Sequence, residues 1–116
     1  MRIIKKKVTM QGGSDGNPLK LLVSKKIHGA KNCQAGVLAL SPGERLPSTG
    51  LASHLAEEVY FIQSGTLRLE MGDGEEILHS GDIVFVPAYE SHANTNISDE
   101  IARIVWFVTP DAVPED

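Results

Sequence analysis

Two imidazoles and a carboxylate are the groups in this chain best placed to do chemistry. His54 and Glu58 lie in the run His54-x3-Glu58-x6-Gly65, and His92 lies in a second run farther along the chain, Gly81-x5-Pro87-x4-His92-x3-Asn96. Imidazole nitrogens and a carboxylate oxygen together form a ligand set that holds a divalent metal and leaves coordination positions open. An ion held in this way lowers the pKa of a bound water or polarises a carbonyl or enediolate oxygen. The sequence therefore points to a small-molecule site as well as to a fold.

The composition narrows the classes of function. At 116 residues the chain is expected to form a single domain, with one core and no second catalytic domain. The net charge of −4 and the lack of a basic stripe give no electrostatic support for a nucleic-acid partner. The run Lys5-Lys6-Lys7 reads as a charged strand edge, which discourages strand-to-strand aggregation. No apolar window approaches the ~20 residues needed to cross a bilayer, and no apolar signal region follows the N-terminal basic residues. A cytoplasmic protein without a membrane partner is the resulting expectation. Cys33 is the single cysteine, so no internal disulfide forms, and its place beside the apolar run Ala35 to Leu40 suggests a small buried hydrophobe.

Short apolar runs separated by Gly, Pro, Asn, Asp and Ser clusters punctuate the chain as in an all-β sandwich or barrel. Strands are expected at Ile3–Val8, Leu19–Lys25, Gln34–Leu40, Glu58–Gln63, Thr66–Met71, Glu75–His79, Asp82–Val86, Ser91–Asn96 and Ala102–Val108. Gly72-Asp73-Gly74 is a hairpin signal, since Asp-Gly tolerates the positive φ of tight turns. In the run from Thr66 to Met71 apolar side chains alternate with polar ones, so one face is expected to be buried. Leu38, Leu40, Ile62, Leu67, Leu69, Ile83, Phe85, Val105 and Phe107 are candidates for the interior. The stretch Gln11 to Pro18 reads as a flexible connection, and the polar tail from Pro110 to Asp116 as a segment that frays.

One segment supports two readings. Leu55, Val59 and Ile62 would share one face of a helix from Ser53 to Gln63 capped by Ser53, and His54 and Glu58 would then be neighbours. On one straight strand the same two residues would sit roughly 13 Å apart, too far to share a metal, so a β reading requires a bend between them.

The two runs resemble the paired motifs of the cupin family. Gly81, Pro87, His92 and Asn96 match the second motif at every spacing, with Tyr89 in place of its inner glycine. His54, Glu58 and Gly65 match the second histidine, the glutamate and the closing glycine of the first motif, while Ala52 stands where its first histidine belongs. The motif spacing selects Glu58 over its neighbour Glu57. The resemblance runs from about Ala35 to Pro110 and includes Pro42-Gly43-Glu44.

That resemblance implies an all-β fold, a double-stranded β-helix or jelly-roll barrel of the cupin type, in which a bend after His54 brings it beside Glu58. It implies a divalent transition metal (Fe, Mn, Ni or Zn) held by His54, Glu58 and His92. Three protein ligands would remain where the family usually has four, and they would still bind Fe(II), Mn(II) or Zn(II). Tyr60, two residues after Glu58, would point the same way along a strand, and with Ala52 is a candidate for the substrate pocket. His28 and His79 read as surface or strand-end residues.

The expected partner is a small oxygenated molecule: a sugar acid, a keto acid or a phenolic compound. The enzyme classes left open are dioxygenase, isomerase, lyase and decarboxylase, because the fold does not name the reaction. A non-catalytic sugar- or acid-binding module and a structural barrel with a vestigial site are the alternatives. Exposed strand edges and the short N-terminal strand further suggest a homodimer.

Overall fold

A computed structural model of the chain describes residues 1–5 and 18–115. Alternating runs form strands β1 (Leu19–Val23), β2 (Gln34–Leu40), β3 (Arg45–Leu46), β4 (Glu57–Ser64), β5 (Thr66–Met71), β6 (Gly74–His79), β7 (Ile83–Val86), β8 (His92–Asn96) and β9 (Ala102–Thr109). They make two antiparallel sheets, one of five strands in the order β1-β2-β9-β4-β7 and one of four in the order β3-β8-β5-β6. These are the two walls of a jelly roll, the all-β barrel implied by the motifs.

The helical reading of residues 53–63 fails, because β4 pairs on both sides, with β7 and β9. Ladder hydrogen bonds and burial of every second side chain outweigh a helical periodicity resting on three residues. Most other strand ends fall within a residue of expectation, with larger differences at three places. Lys25 ends no strand: Ser24 Oγ accepts from the Ile27 amide at 3.0 Å and caps a one-turn helix, α1 (Lys25–His28), closed by Gly29 in the left-handed region. The two-residue strand β3 carries too short an apolar signal to read from sequence. Residues 3–5 of the expected Ile3–Val8 strand are not in a strand, and residues 6–8, with Lys6, Lys7 and the connection 11–17, lie outside the described residues.

The core lies between the sheets, where Leu40, Ile62, Leu67 and Ile104 are buried. Each contributes about 1.5–3 kcal/mol by leaving water. Leu38, Leu40, Ile62, Leu67 and Leu69 face inward as expected, but Ile83, Phe85, Val105 and Phe107 face outward. Val86, Ile104, Trp106 and Val108 hold the interior positions of β7 and β9 instead. Both strands are apolar at nearly every position, so hydrophobicity could not assign their faces. Pairing fixes it: Gly36 on β2 stands opposite Trp106, and a Cβ at Gly36 would collide with the indole and with the Lys20 carbonyl. A glycine opposite the largest side chain directs that side chain inward. Cys33 is only partly buried, not a core residue.

Gly65 links β4 to β5 at φ 84°, and a Cβ there would lie 2.7 Å from Ala102 Cβ. The turn needs both the left-handed backbone and the missing side chain. Asn96 is fully buried, and its amide donates to the Leu40 and Glu100 carbonyls while its oxygen accepts from Ser98. Two of the matched motif positions therefore hold the barrel together.

Candidate metal centre and cavity

β4 belongs to one sheet and β8 to the other, and their inward side chains meet across the barrel. On β4 the odd-numbered residues from Glu57 to Gln63 are exposed, while Glu58, Tyr60 and Ile62 turn inward. His54 precedes the strand, in a segment that bends at Leu55 and Ala56 and is held when its carbonyl accepts from the Tyr89 amide at 2.7 Å. The bend removes the separation a straight strand would impose.

His54 Nε2 lies 3.5 Å and His92 Nε2 3.3 Å from the same atom, Glu58 Oε1. One donor atom from each residue falls within 4.8 Å of the others, and the imidazoles meet edge to face at 5.5 Å between centroids. Ligands 2.0–2.2 Å from one ion at tetrahedral or octahedral angles stand roughly 3.0–3.5 Å apart. The two contacts fit such an ion.

The far side of each ring supports the same conclusion. His54 Nδ1 lies 2.7 Å from the Ala56 carbonyl, and His92 Nδ1 lies 3.0 Å from the Glu90 carbonyl. A carbonyl only accepts, so each Nδ1 carries a proton and Nε2 is the nitrogen that each ring turns toward Glu58. Lone pairs aimed at a carboxylate oxygen repel it unless a cation sits between them. A proton can serve: the Glu58 hydrogen bond holds the His92 pKa above its ordinary value, against the opposing effect of burial. A metal ion would satisfy both rings at once.

Behind this cluster is a cavity of about 280 Å³. Its walls are mainly apolar, with Leu38, Leu46, Ile104, Trp106 and Val108 among them, and His54, Glu58 and His92 remain partly open to solvent. One strand step inward from Glu58 and His92 lies a second polar tier, Tyr60 and Asn94. Asn94 Nδ2 donates to the Tyr60 hydroxyl at 3.1 Å, while the hydroxyl reaches Asn94 Oδ1 only at 3.4 Å, a weak bond that leaves its proton available. Burial pushes the Tyr60 pKa up to about 12, the Asn94 bond lowers it somewhat, and the Glu58 charge raises it. The phenol is thus a stable donor.

The tail, expected to fray, is held against the barrel. Buried Gln34 accepts from the Ala112 and Val113 amides at 2.9 Å and donates to the Val113 carbonyl at 2.7 Å and to Glu115 at 2.8 Å. Glu115 in turn accepts from the Lys25 and Lys26 amides at the start of α1. Ala112 and Val113 so become part of the cavity wall.

The structure gathers His54, Glu58, His92, Tyr60 and Ala52 around this cavity. It keeps His28 and His79 away: His28 Nδ1 accepts from the Ser24 amide, and His79 is exposed at the end of β6. Asn94 was missed from sequence, although the parity that selects Tyr60 after Glu58 also selects Asn94 after His92. Gln34 and the 112–113 wall carry no local signal, because they meet through contacts across nearly eighty residues.

Among the described residues no helix is long and apolar enough to cross a membrane. The family model described as "Cupin domain" matches residues 36–108, more than half of the chain. The Streptomyces coelicolor protein SCO3923 is 29% identical over 82 residues, covering 71% of this chain and 75% of its own. The fold is also similar to the polyketide cyclase RemF from Streptomyces resistomycificus, with a TM-score of 0.76 at 17% identity over 98% of this chain and 82% of that one. A Thermotoga maritima structure described as a predicted oxalate decarboxylase has a TM-score of 0.69 at 22% identity, covering 80% of this chain and 79% of that one.

Proposed function

The chain belongs to the cupin domain family, and from that premise we propose that it is a metal-dependent enzyme acting on a small phenolic or related flat oxygenated compound. The observation that carries this is the convergence of His54 Nε2 and His92 Nε2 on Glu58 Oε1 at the open side of an apolar cavity. His54, Glu58 and His92 would hold the divalent ion, and the open coordination face would meet the substrate. When bound, the ion supplies Lewis acidity toward a substrate oxygen or lowers the pKa of a water.

The protein's own groups do the rest. The carbonyls of Ala56 and Glu90 fix the tautomer and orientation of the two imidazoles. Tyr60, kept protonated, donates a hydrogen bond to a ligand oxygen held deeper in the cavity, and Asn94 orients it. The apolar walls exclude water, which strengthens both interactions.

The walls also favour one substrate class. A sugar acid or oxalate-like dianion would leave hydroxyls or charges unpaired against Leu38, Leu46, Ile104 and Val108, at a cost of about 1–3 kcal/mol for each unmatched group. A phenolic body places carbon against those walls and oxygen at the metal and at Tyr60. The likeness to RemF, itself a polyketide cyclase, is compatible with that chemistry.

Elemental analysis of protein purified without chelator, beside His54→Ala and His92→Ala, is the direct test. Near-stoichiometric metal lost in both variants is the expected result, followed by turnover within a panel of phenolic and quinone compounds. Unchanged metal content in the variants would overturn the ligand assignment. Binding of the panel without turnover would leave a ligand-binding module.

A further inference from the structure

The end of the cavity nearest the metal ligands has two kinds of wall. Val108 on β9 stands opposite both Glu58 on β4 and Gln34 on β2, so the chain leaves its last strand at the level of the candidate metal site. Ladder hydrogen bonds fix the sheet walls there. Residues 110–115, which run on from β9, are held otherwise. Among the described residues they make no backbone-to-backbone hydrogen bond, yet Ala112 and Val113 line the cavity together with His54, Glu58 and His92.

Two side chains fasten this strap. Gln34, only 1% exposed, holds the Ala112 and Val113 amides and the Val113 carbonyl through its own amide group. Glu115 accepts a further bond from Gln34 and reaches on to the Lys25 and Lys26 amides. Val113 is the one half-buried apolar side chain of the strap, since Pro110, Ala112 and Pro114 are exposed. Release would therefore break side-chain bonds and uncover little apolar surface, while every ladder of the barrel stays paired. Segments held in this way open locally at a far lower free energy than the core.

We infer, on the reading of the cavity as a ligand chamber, that residues 110–115 are a latched strap that swings out to admit the ligand, with Gln34 as its catch. The other approach is crowded. His54, Glu58 and His92 stand across the open side, and their side chains are only 24%, 16% and 13% exposed. An ion held there narrows that approach further. A flat molecule bound for Tyr60 and Asn94 has to displace a wall, and the strap is a wall that moves without unpairing a strand. Once closed again, it keeps water out of the chamber. Gln34 is then a positioning residue that sets the rate of ligand exchange more than the affinity.

Trp106 is the single tryptophan of the chain, lines the cavity and is 3% exposed, so its fluorescence reports on access without metal or substrate. The test compares acrylamide quenching of Trp106 in the wild type, Gln34→Leu and Glu115→Ala, with near-ultraviolet circular dichroism as the check on folding. Glu115→Ala removes only the outer fastening, and serves if Gln34→Leu does not fold. The quenching rate constant is expected to rise at least about threefold in Gln34→Leu and by a smaller factor in Glu115→Ala. Stopped-flow mixing with 4-nitrophenol, which accepts energy from tryptophan, should show association and dissociation both about tenfold faster in Gln34→Leu, with a nearly constant Kd. Equal quenching in the wild type and in each folded variant would overturn the proposal. So would dissociation that accelerates alone, which is the mark of a lost wall contact. If 4-nitrophenol binds to no form, the phenolic reading falls, and the acrylamide comparison still decides for or against the strap.

Discussion

Ala52 and His92 exchange both backbone hydrogen bonds, at 3.0 and 2.9 Å, as an isolated antiparallel bridge. Residues opposed in this way send their side chains to the same side of the ladder, with Cβ atoms about 5 Å apart. The Ala52 methyl therefore lies on the ligand side of His92 and lines the cavity. An imidazole at this position would lie beside the His54, Glu58 and His92 cluster. Ala52→His is expected to tighten metal binding by at least about tenfold, or ~1.4 kcal/mol, as measured by competition with a chromophoric chelator. Equal or weaker binding would mean that the bridge does not aim residue 52 at the ion.

Tyr60 connects pH to stability. Its folded pKa of about 12 lies above the ordinary tyrosine value of 10.0, so the folded state keeps the phenol proton where the unfolded chain releases it. The contribution is complete below pH 10 and is lost as pH rises from there through 12. Tyr60→Phe is expected to flatten the decline in melting temperature between pH 10 and 12, and to remove the late step from an absorbance titration near 295 nm. An unaltered alkaline profile in the variant would count against this assignment.

Tyr89 occupies a left-handed backbone position, with φ 66°, where the family motif carries glycine. A bulky L-residue there costs about 1–2 kcal/mol, and its exposed ring recovers little by packing. Allowing for the larger unfolded-state entropy of glycine, Tyr89→Gly should raise unfolding stability by about 0.5–1 kcal/mol in urea. Destabilisation would show that the Tyr89 ring contributes to the fold despite its exposure.

Gln34 controls the cavity wall formed by the tail. Gln34→Leu removes two acceptor and two donor contacts at once, and should cost about 1–3 kcal/mol if the freed amides stay buried. Hydrogen exchange at Ala112 and Val113 should accelerate strongly while β4 and β9 remain protected. Acid should act in the same direction: the Lys26 amide and Gln34 hold the Glu115 pKa below its ordinary 4.5, so its contribution is present above that value and is lost as pH falls through the lower folded one. Protection at residues 112–113 unchanged in Gln34→Leu would rule out the latch.

Much of the chemistry was legible because it depends on residue type and local spacing. His54, Glu58 and His92 could be named from two short runs, and Tyr60 from strand parity, since alternation is a local property of the backbone. The position of most strands followed from turn residues, as at Gly72 and Asp73, where Met71 pairs with Gly74 and closes the β5–β6 hairpin.

What the chain could not reveal by itself depended on partners distant in sequence. Residues 53–63 satisfy a helical and an extended pattern alike, and only pairing with β7 and β9 selects the strand. The faces of β7 and β9 were ambiguous because nearly every position is apolar, and a shift of one residue exchanges core and surface. Gly36, seventy residues from Trp106, settles that choice by leaving room for the indole, and so turns Phe107 and Val105 outward. The sequence by itself determined which groups could hold a metal. The tertiary structure alone decided that two of them share one carboxylate oxygen, that Gln34 closes the wall behind them, and that an apolar face is left in water, because each follows from contacts between residues whose order along the chain says nothing of their distance.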